Sequence, residues 1–136
     1  MAVQIPADYR DLLERPVFVT LVTVMPDGQP QATPVWCSAD GDHVLINSAR
    51  GRQKDRNMER DPRVTVVAID PKNPYRWIEV RGKVVEITEE GALEHINALC
   101  KLYTGIEDYY DFATGAKGKE TRVMYRIEPQ KINVGG

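Results

Sequence analysis

The sequence predicts a mainly β fold, a six-stranded antiparallel sheet closing into a barrel, with a few short helices. Three observations lead there. Six strand-capable runs recur along the chain, two of them (Val17 to Val24 and Val64 to Ile69) dense in β-branched residues, and short turns of Gly, Pro and Asp join most of them, as antiparallel neighbours allow. A single sheet of that many strands removes its exposed edges by closing on itself. At 136 residues and 42% hydrophobic content, residues 1–136 read as one domain with one packed core.

Ala7 to Arg15 opens the chain as a short amphipathic helix after Pro6, with Tyr9, Leu12 and Leu13 on its apolar side. Val17 to Val24 is the first strand. The turn Met25-Pro26-Asp27-Gly28-Gln29 returns the chain into Pro30 to Ser38, and Ala39-Asp40-Gly41-Asp42 leads into His43 to Asn47, a three-strand meander. Ser48 to Arg60 is polar and helix-capable, and stops at Asp61-Pro62 because the residue before proline avoids the α region. Val64 to Ile69 and Arg76 to Ile87 form a second hairpin about Pro71-Lys72-Asn73-Pro74. Gly91 to Tyr103 spaces Leu93, Ile96, Leu99, Cys100 and Tyr103 as a helix does. Thr104 to Lys119 is a short helix plus a mobile loop, whose Tyr109, Tyr110 and Phe112 either cover a substrate or pack the loop down. Thr121 to Val134 is the last strand, with Val123, Tyr125 and Ile127 alternating against Arg122, Met124 and Arg126.

Composition excludes several classes of function. The longest apolar stretch, Val17 to Val24, is eight residues and contains Thr20 and Thr23, too short and polar to span a bilayer. The amino terminus has neither a basic segment nor a long apolar run, so a cytoplasmic protein is expected. Cys37 and Cys100 lie in different elements with only His43 and His95 as imidazole partners, which points to buried thiols and no metal site. A net charge of −2 gives no general attraction to nucleic acid or acidic membranes.

Anion binding is therefore local, and one segment suits it. Asn47-Ser48-Ala49-Arg50-Gly51-Arg52-Gln53-Lys54 gathers three cations around a glycine turn before a helix. Backbone N–H groups and the helix dipole favour an anion there, with Arg52 and Lys54 approaching from two sides. The competing possibility is that Arg50, Arg56 and Arg60 pair with Asp55, Glu59 and Asp61 on a solvated helix. Neither a dinucleotide-binding glycine fingerprint nor a phosphate-loop motif is present.

Gly51-Arg52-Gln53-Lys54, then Asn57-Met58, then Arg60-Asp61-Pro62-Arg63-Val64 resemble the FMN- and F420-binding split-barrel superfamily that includes pyridoxamine-phosphate oxidases, and most closely its F420-using reductase branch. Asp27-Gly28, Pro34-Val35-Trp36 and Arg76-Trp77-Ile78-Glu79-Val80-Arg81-Gly82 extend the resemblance over nearly the whole chain, with Gly82 taken as conformationally free. The resemblance implies a homodimer with two cofactor sites in the groove between protomers. It also implies that Arg52 and Lys54 hold a phosphate, with Ser48, Ala49 and Arg50 beside it and Asn57 steadying the turn. Pro34, Val35 and Trp36 would lie against a tricyclic ring, approached by Trp77 and Ile78 of the second copy. Either tryptophan could equally be a core or interface residue.

F420 extends beyond its phosphate into lactate and glutamates and needs a longer basic track than FMN. Arg50, Arg56 and Arg60, with Lys117 and Lys119 of the late loop, are the candidates. The resemblance thus implies an F420H2-dependent reductase acting on a conjugated small-molecule hydride acceptor. An FMN-dependent oxidase or reductase and a non-catalytic flavin- or deazaflavin-binding protein are the alternatives. The chemistry would belong to the cofactor, so no dedicated catalytic side chain is required. His43 and His95 read as structural.

Overall fold

The computed structural model describes residues 3–136; Met1 and Ala2, which open the amino-terminal stretch considered above, lie outside them. Seven strands form: β1 (Val19–Val24), β2 (Pro30–Val35), β3 (Cys37–Asp40), β4 (His43–Ala49), β5 (Arg63–Asp70), β6 (Asn73–Thr88) and β7 (Arg122–Gly135). They make one sheet in the order β2-β1-β5-β6-β7-β4-β3, and every pairing is antiparallel.

The count exceeds expectation by one because the stretch from Pro30 to Ser38 divides at Trp36. Its first half pairs with β1, its second with β4, so the two halves are the opposite outer strands of the sheet. Only Trp36 separates them. Successive Cα atoms are about 3.8 Å apart, which brings the two edges within about 8 Å of each other at this point. The sheet must curl to allow it. The mainly β, split-barrel fold is therefore present, with its edges meeting at Trp36, and the expected meander is replaced by two hairpins at opposite edges. Pro34, lacking an N–H, fits an outer strand.

Alternate residues of the central strands fill the inside of the curl. Leu21, Ile46, Val66, Ile78, Val80, Val123, Tyr125 and Ile127 are buried in one core, joined by Leu12 and Leu13 of α1 (Asp11–Glu14). Met58 of α2 (Gln53–Arg60) enters the same core. The expected helix from Ser48 starts later, because Ser48 and Ala49 continue β4 in register with Val123 and Arg122. Gly51, at φ 87, then turns the chain into α2. The helix α3 (Ala92–Thr104) packs on β4 and β7, and α4 (Tyr109–Phe112) packs on α3.

Gly82 is needed for a reason other than conformational freedom. It sits at an irregularity between β6 and β7, where a Cβ would stand 2.5 Å from the Glu128 carbonyl oxygen. Close approach of two backbones excludes a side chain.

Candidate functional site

Three pieces of chain converge on one cleft of about 190 Å³. The end of β2 and the edge-to-edge crossing bring Pro34, Val35 and Trp36. The Gly51 turn brings Arg52, immediately before α2, and Lys54 in its first turn. The start of β7 brings Arg122.

The cations outnumber the anions there. Arg52 and Arg122 share one carboxylate, Glu120, at 3.1 Å and 2.9 Å. Lys54 makes no ion pair among the described residues, and its Nζ lies 3.4 Å from the Thr33 hydroxyl. Three cations against one carboxylate leave two positive charges uncompensated. Burial, and then the charges of Arg52 and Arg122, push the Lys54 ammonium below its ordinary pKa. This is the electrostatic condition for binding an anion, since an anion removes the mutual repulsion.

Arg122 is held from behind. Its Nε donates to Asn47 Oδ1 at 2.9 Å, and its guanidinium lies 4.8 Å from the Tyr109 ring centroid. Asn47 Nδ2 donates to the Ala92 carbonyl at 2.9 Å and to His95 Nδ1 at 3.1 Å. An amide N–H can only donate, so His95 accepts at Nδ1, and the network assigns its proton to Nε2, 3.0 Å from Ser38 Oγ.

Burial, and then the Arg122 charge, depress His95 to about 4. The sign follows directly: the unfolded chain binds this proton near pH 6.5 and the folded chain only near 4, so acid favours unfolding. Stability is expected to fall as pH drops from about 6.5 towards 4, by roughly 3 kcal/mol at most from this group. Urea titrations of wild type and His95→Gln at pH 7 and pH 5 check it; equal pH slopes would refute it.

An aromatic wall faces the cations. Trp36 stacks on Tyr103 with centroids 5.2 Å apart, and Phe112 and Tyr109 pack against it at 5.5 Å and 6.3 Å. Tyr103 is pinned by donating to the Val17 carbonyl at 2.7 Å and accepting from Cys37 N at 3.1 Å. Tyr109 and Phe112 thus both pack their segment down and line the cleft.

Of the residues expected at the site, Pro34, Val35, Trp36, Arg52 and Lys54 line this cleft. The others lie elsewhere. Ser48 and Ala49 are buried strand residues, and Ser48 Oγ has no hydrogen-bond partner among the described residues. Arg50 is drawn away by Glu59, Glu89 and Asp55 at 2.5, 2.9 and 3.3 Å. Arg56 donates to the Gly51 carbonyl and Gln53, and Arg60 to the Val24 carbonyl. These arginines brace α2 and do not form a free basic track. Asn57 is buried and ties α2 to β1 by donating to Thr23 Oγ1 at 3.0 Å. Ile78 is wholly inside the core, and Trp77 covers Gly135 on β7.

Phe18, Asn47 and Arg122, which line the cleft, and Glu120, which pairs with two of its cations, are not legible in the sequence as site residues. Arg122 has the outward parity expected of it, but α3 covers that face and buries it. Its sequence signal is slight: a glutamate and an arginine flanking Thr121 ahead of a strand.

Among the described residues no group of His, Cys, Asp and Glu is placed to hold a metal ion, and no helix is long and apolar enough to cross a membrane. No curated protein sequence matches the chain. A solved F420 reductase is 35% identical, with 95% of this chain and 98% of that one covered and a TM-score of 0.82. A conserved hypothetical protein of Mycobacterium tuberculosis is 25% identical, over 98% of this chain and 86% of that one, with a TM-score of 0.77. The heme storage protein HutZ of Vibrio cholerae shares the fold at 15% identity and a TM-score of 0.70, over 98% and 96% of the two chains. The family model of pyridoxamine 5'-phosphate oxidase matches residues 5–134. With the split-barrel sheet and nearly the whole chain inside that match, the protein belongs to the pyridoxamine 5'-phosphate oxidase family.

Proposed function

We propose that this protein is an F420H2-dependent reductase that passes a hydride to a conjugated small-molecule acceptor. One observation carries the reading: Arg52, Lys54 and Arg122, with two uncompensated charges, face the Pro34-Val35-Trp36 wall within a single cleft. A ligand with an anionic group joined to a flat apolar ring matches both sides. When bound, the deazaflavin supplies the hydride chemistry. The chain's own residues bind and orient: Arg52 and Lys54 hold the phosphate, Arg122 faces it from β7, and Pro34, Val35 and Trp36 seat the ring away from water. The 35% identity to an F420 reductase favours the deazaflavin over FMN.

The reading includes a homodimer in the cytoplasm. Ile69, Tyr75 and Val134 are 51%, 80% and 42% exposed around the β5–β6 turn, next to the half-buried Trp77, and a second copy would cover them. Trp77 then contributes from the interface, whereas Ile78, inside the core, supports the strand.

Equilibrium fluorescence titrations with F420 and, separately, FMN test the proposal. Micromolar binding of F420 with weaker FMN binding is the expected result. Preference for FMN would favour an FMN-dependent oxidase or reductase, and binding without turnover of any acceptor would favour a carrier.

A further inference from the structure

We propose that Glu120 is an internal counter-ion of the anion cradle: a carboxylate that occupies two of its arginines in the free protein and that an incoming phosphate displaces. The inference rests on the cofactor reading above and adds the residue that limits affinity at that site.

Glu120 comes just before β7, at the end of the segment that follows α4. Its side chain is only 11% exposed; it lies behind the cleft lining, where it reaches two of the cleft's cations, Arg52 and Arg122. Oε2 accepts from Arg52 at 3.1 Å and Oε1 from Arg122 at 2.9 Å, with the Tyr110 hydroxyl donating to Oε1 at 3.4 Å. It is the one carboxylate paired with these cations among the described residues.

Two carboxylate oxygens facing two guanidinium groups stand in for the oxygens of a phosphate. An arriving phosphate meets the same donors and, beside them, a like charge. It must either displace Glu120 or bind with fewer contacts and a repulsion. Arg122 is braced by Asn47 and Tyr109 and is 5% exposed, whereas Arg52 is 46% exposed. Arg52 is therefore the partner free to turn from Glu120 to a ligand, while Arg122 stays.

Without ligand, Glu120 relieves repulsion among Arg52, Lys54 and Arg122. Removing its charge has opposite effects on stability and on binding. A side chain that only shapes the cleft would lose both together.

Glu120→Gln keeps the shape and removes the charge. Wild type and variant are titrated with F420, FMN and inorganic pyrophosphate, and melted with and without each. The expected result is a lower melting temperature for the free variant together with tighter anion binding, by about tenfold for one removed like charge at partly buried range. Equal or weaker binding of all three anions by Glu120→Gln would overturn the inference and leave the cofactor reading standing if wild type binds F420 or FMN. Binding of pyrophosphate alone, tighter in the variant, would uphold Glu120 and overturn the cofactor reading. Binding of nothing by either protein would overturn both. Should the variant not fold, a structure of the wild-type protein with F420 or FMN decides: Glu120 more than 4 Å from Arg52 supports displacement, and retention of both arginine contacts overturns it.

Discussion

Lys54→Glu is expected to weaken cofactor binding by about 2–5 kcal/mol, the scale of a lost charged contact in a partly desolvated site. Lys54 is half-buried and is the one cleft cation without a carboxylate, so it has the least to lose by meeting an anion. Reversing it changes the balance from three cations and one carboxylate to two of each. Lys54→Met should fall between wild type and Lys54→Glu. The depressed pKa of Lys54 gives a second signature. An anion binds the protonated amine, so wild-type affinity should decline as pH rises through that lowered value, earlier than an ordinary lysine near 10.4 would allow. Lys54→Met should lack that decline. Fluorescence titrations across pH and salt measure all of this, and unchanged affinity in Lys54→Glu would remove Lys54 from the site.

Asp55→Ala is expected to destabilise the fold by about 3–5 kcal/mol, since it leaves buried partners without their carboxylate. Asp55, 4% exposed, accepts from the Tyr125 hydroxyl at 2.5 Å, from Gly51 N at 2.9 Å and from Arg50 at 3.3 Å. It joins the centre of β7 to the turn that delivers Arg52 and Lys54. Asp55→Asn, which retains an acceptor oxygen, should lose less. Urea denaturation measures the order wild type, Asn, Ala, and a loss below about 1 kcal/mol in Asp55→Ala would show that the turn is held by other contacts.

These two neighbours show where reading a sequence succeeds and where it stops. Lys54 was legible because its neighbourhood is local: cations spaced around a glycine turn before a helix act together whatever the rest of the chain does. For Asp55 the sequence offers only a possible ion pair on a solvated helix face. Its burial depends on Tyr125, seventy positions away. Arg50 had both possibilities open, and the partners that claim it include Glu89, on no element adjacent to it in sequence.

Trp36 marks the same boundary. The turn Met25 to Gln29 returning the chain predicts a strand through Pro30 to Ser38, and each half is indeed a strand. Nothing in that run says that its halves belong to opposite edges, because pairing is chosen by the partners β1 and β4 and by the curl that burial of the shared core imposes.

The sequence by itself determined the mainly β class, the turns that join neighbouring strands, the family resemblance and the Arg52-Lys54 turn, all of which rest on residues close along the chain. Only the tertiary structure decided that Arg122, Glu120, Asn47 and the Trp36–Tyr103 wall meet at that turn. A cleft built from β2, β4, α2, α3 and β7 is a property of sheet curvature and helix packing, and those follow from burying one core and not from any local pattern.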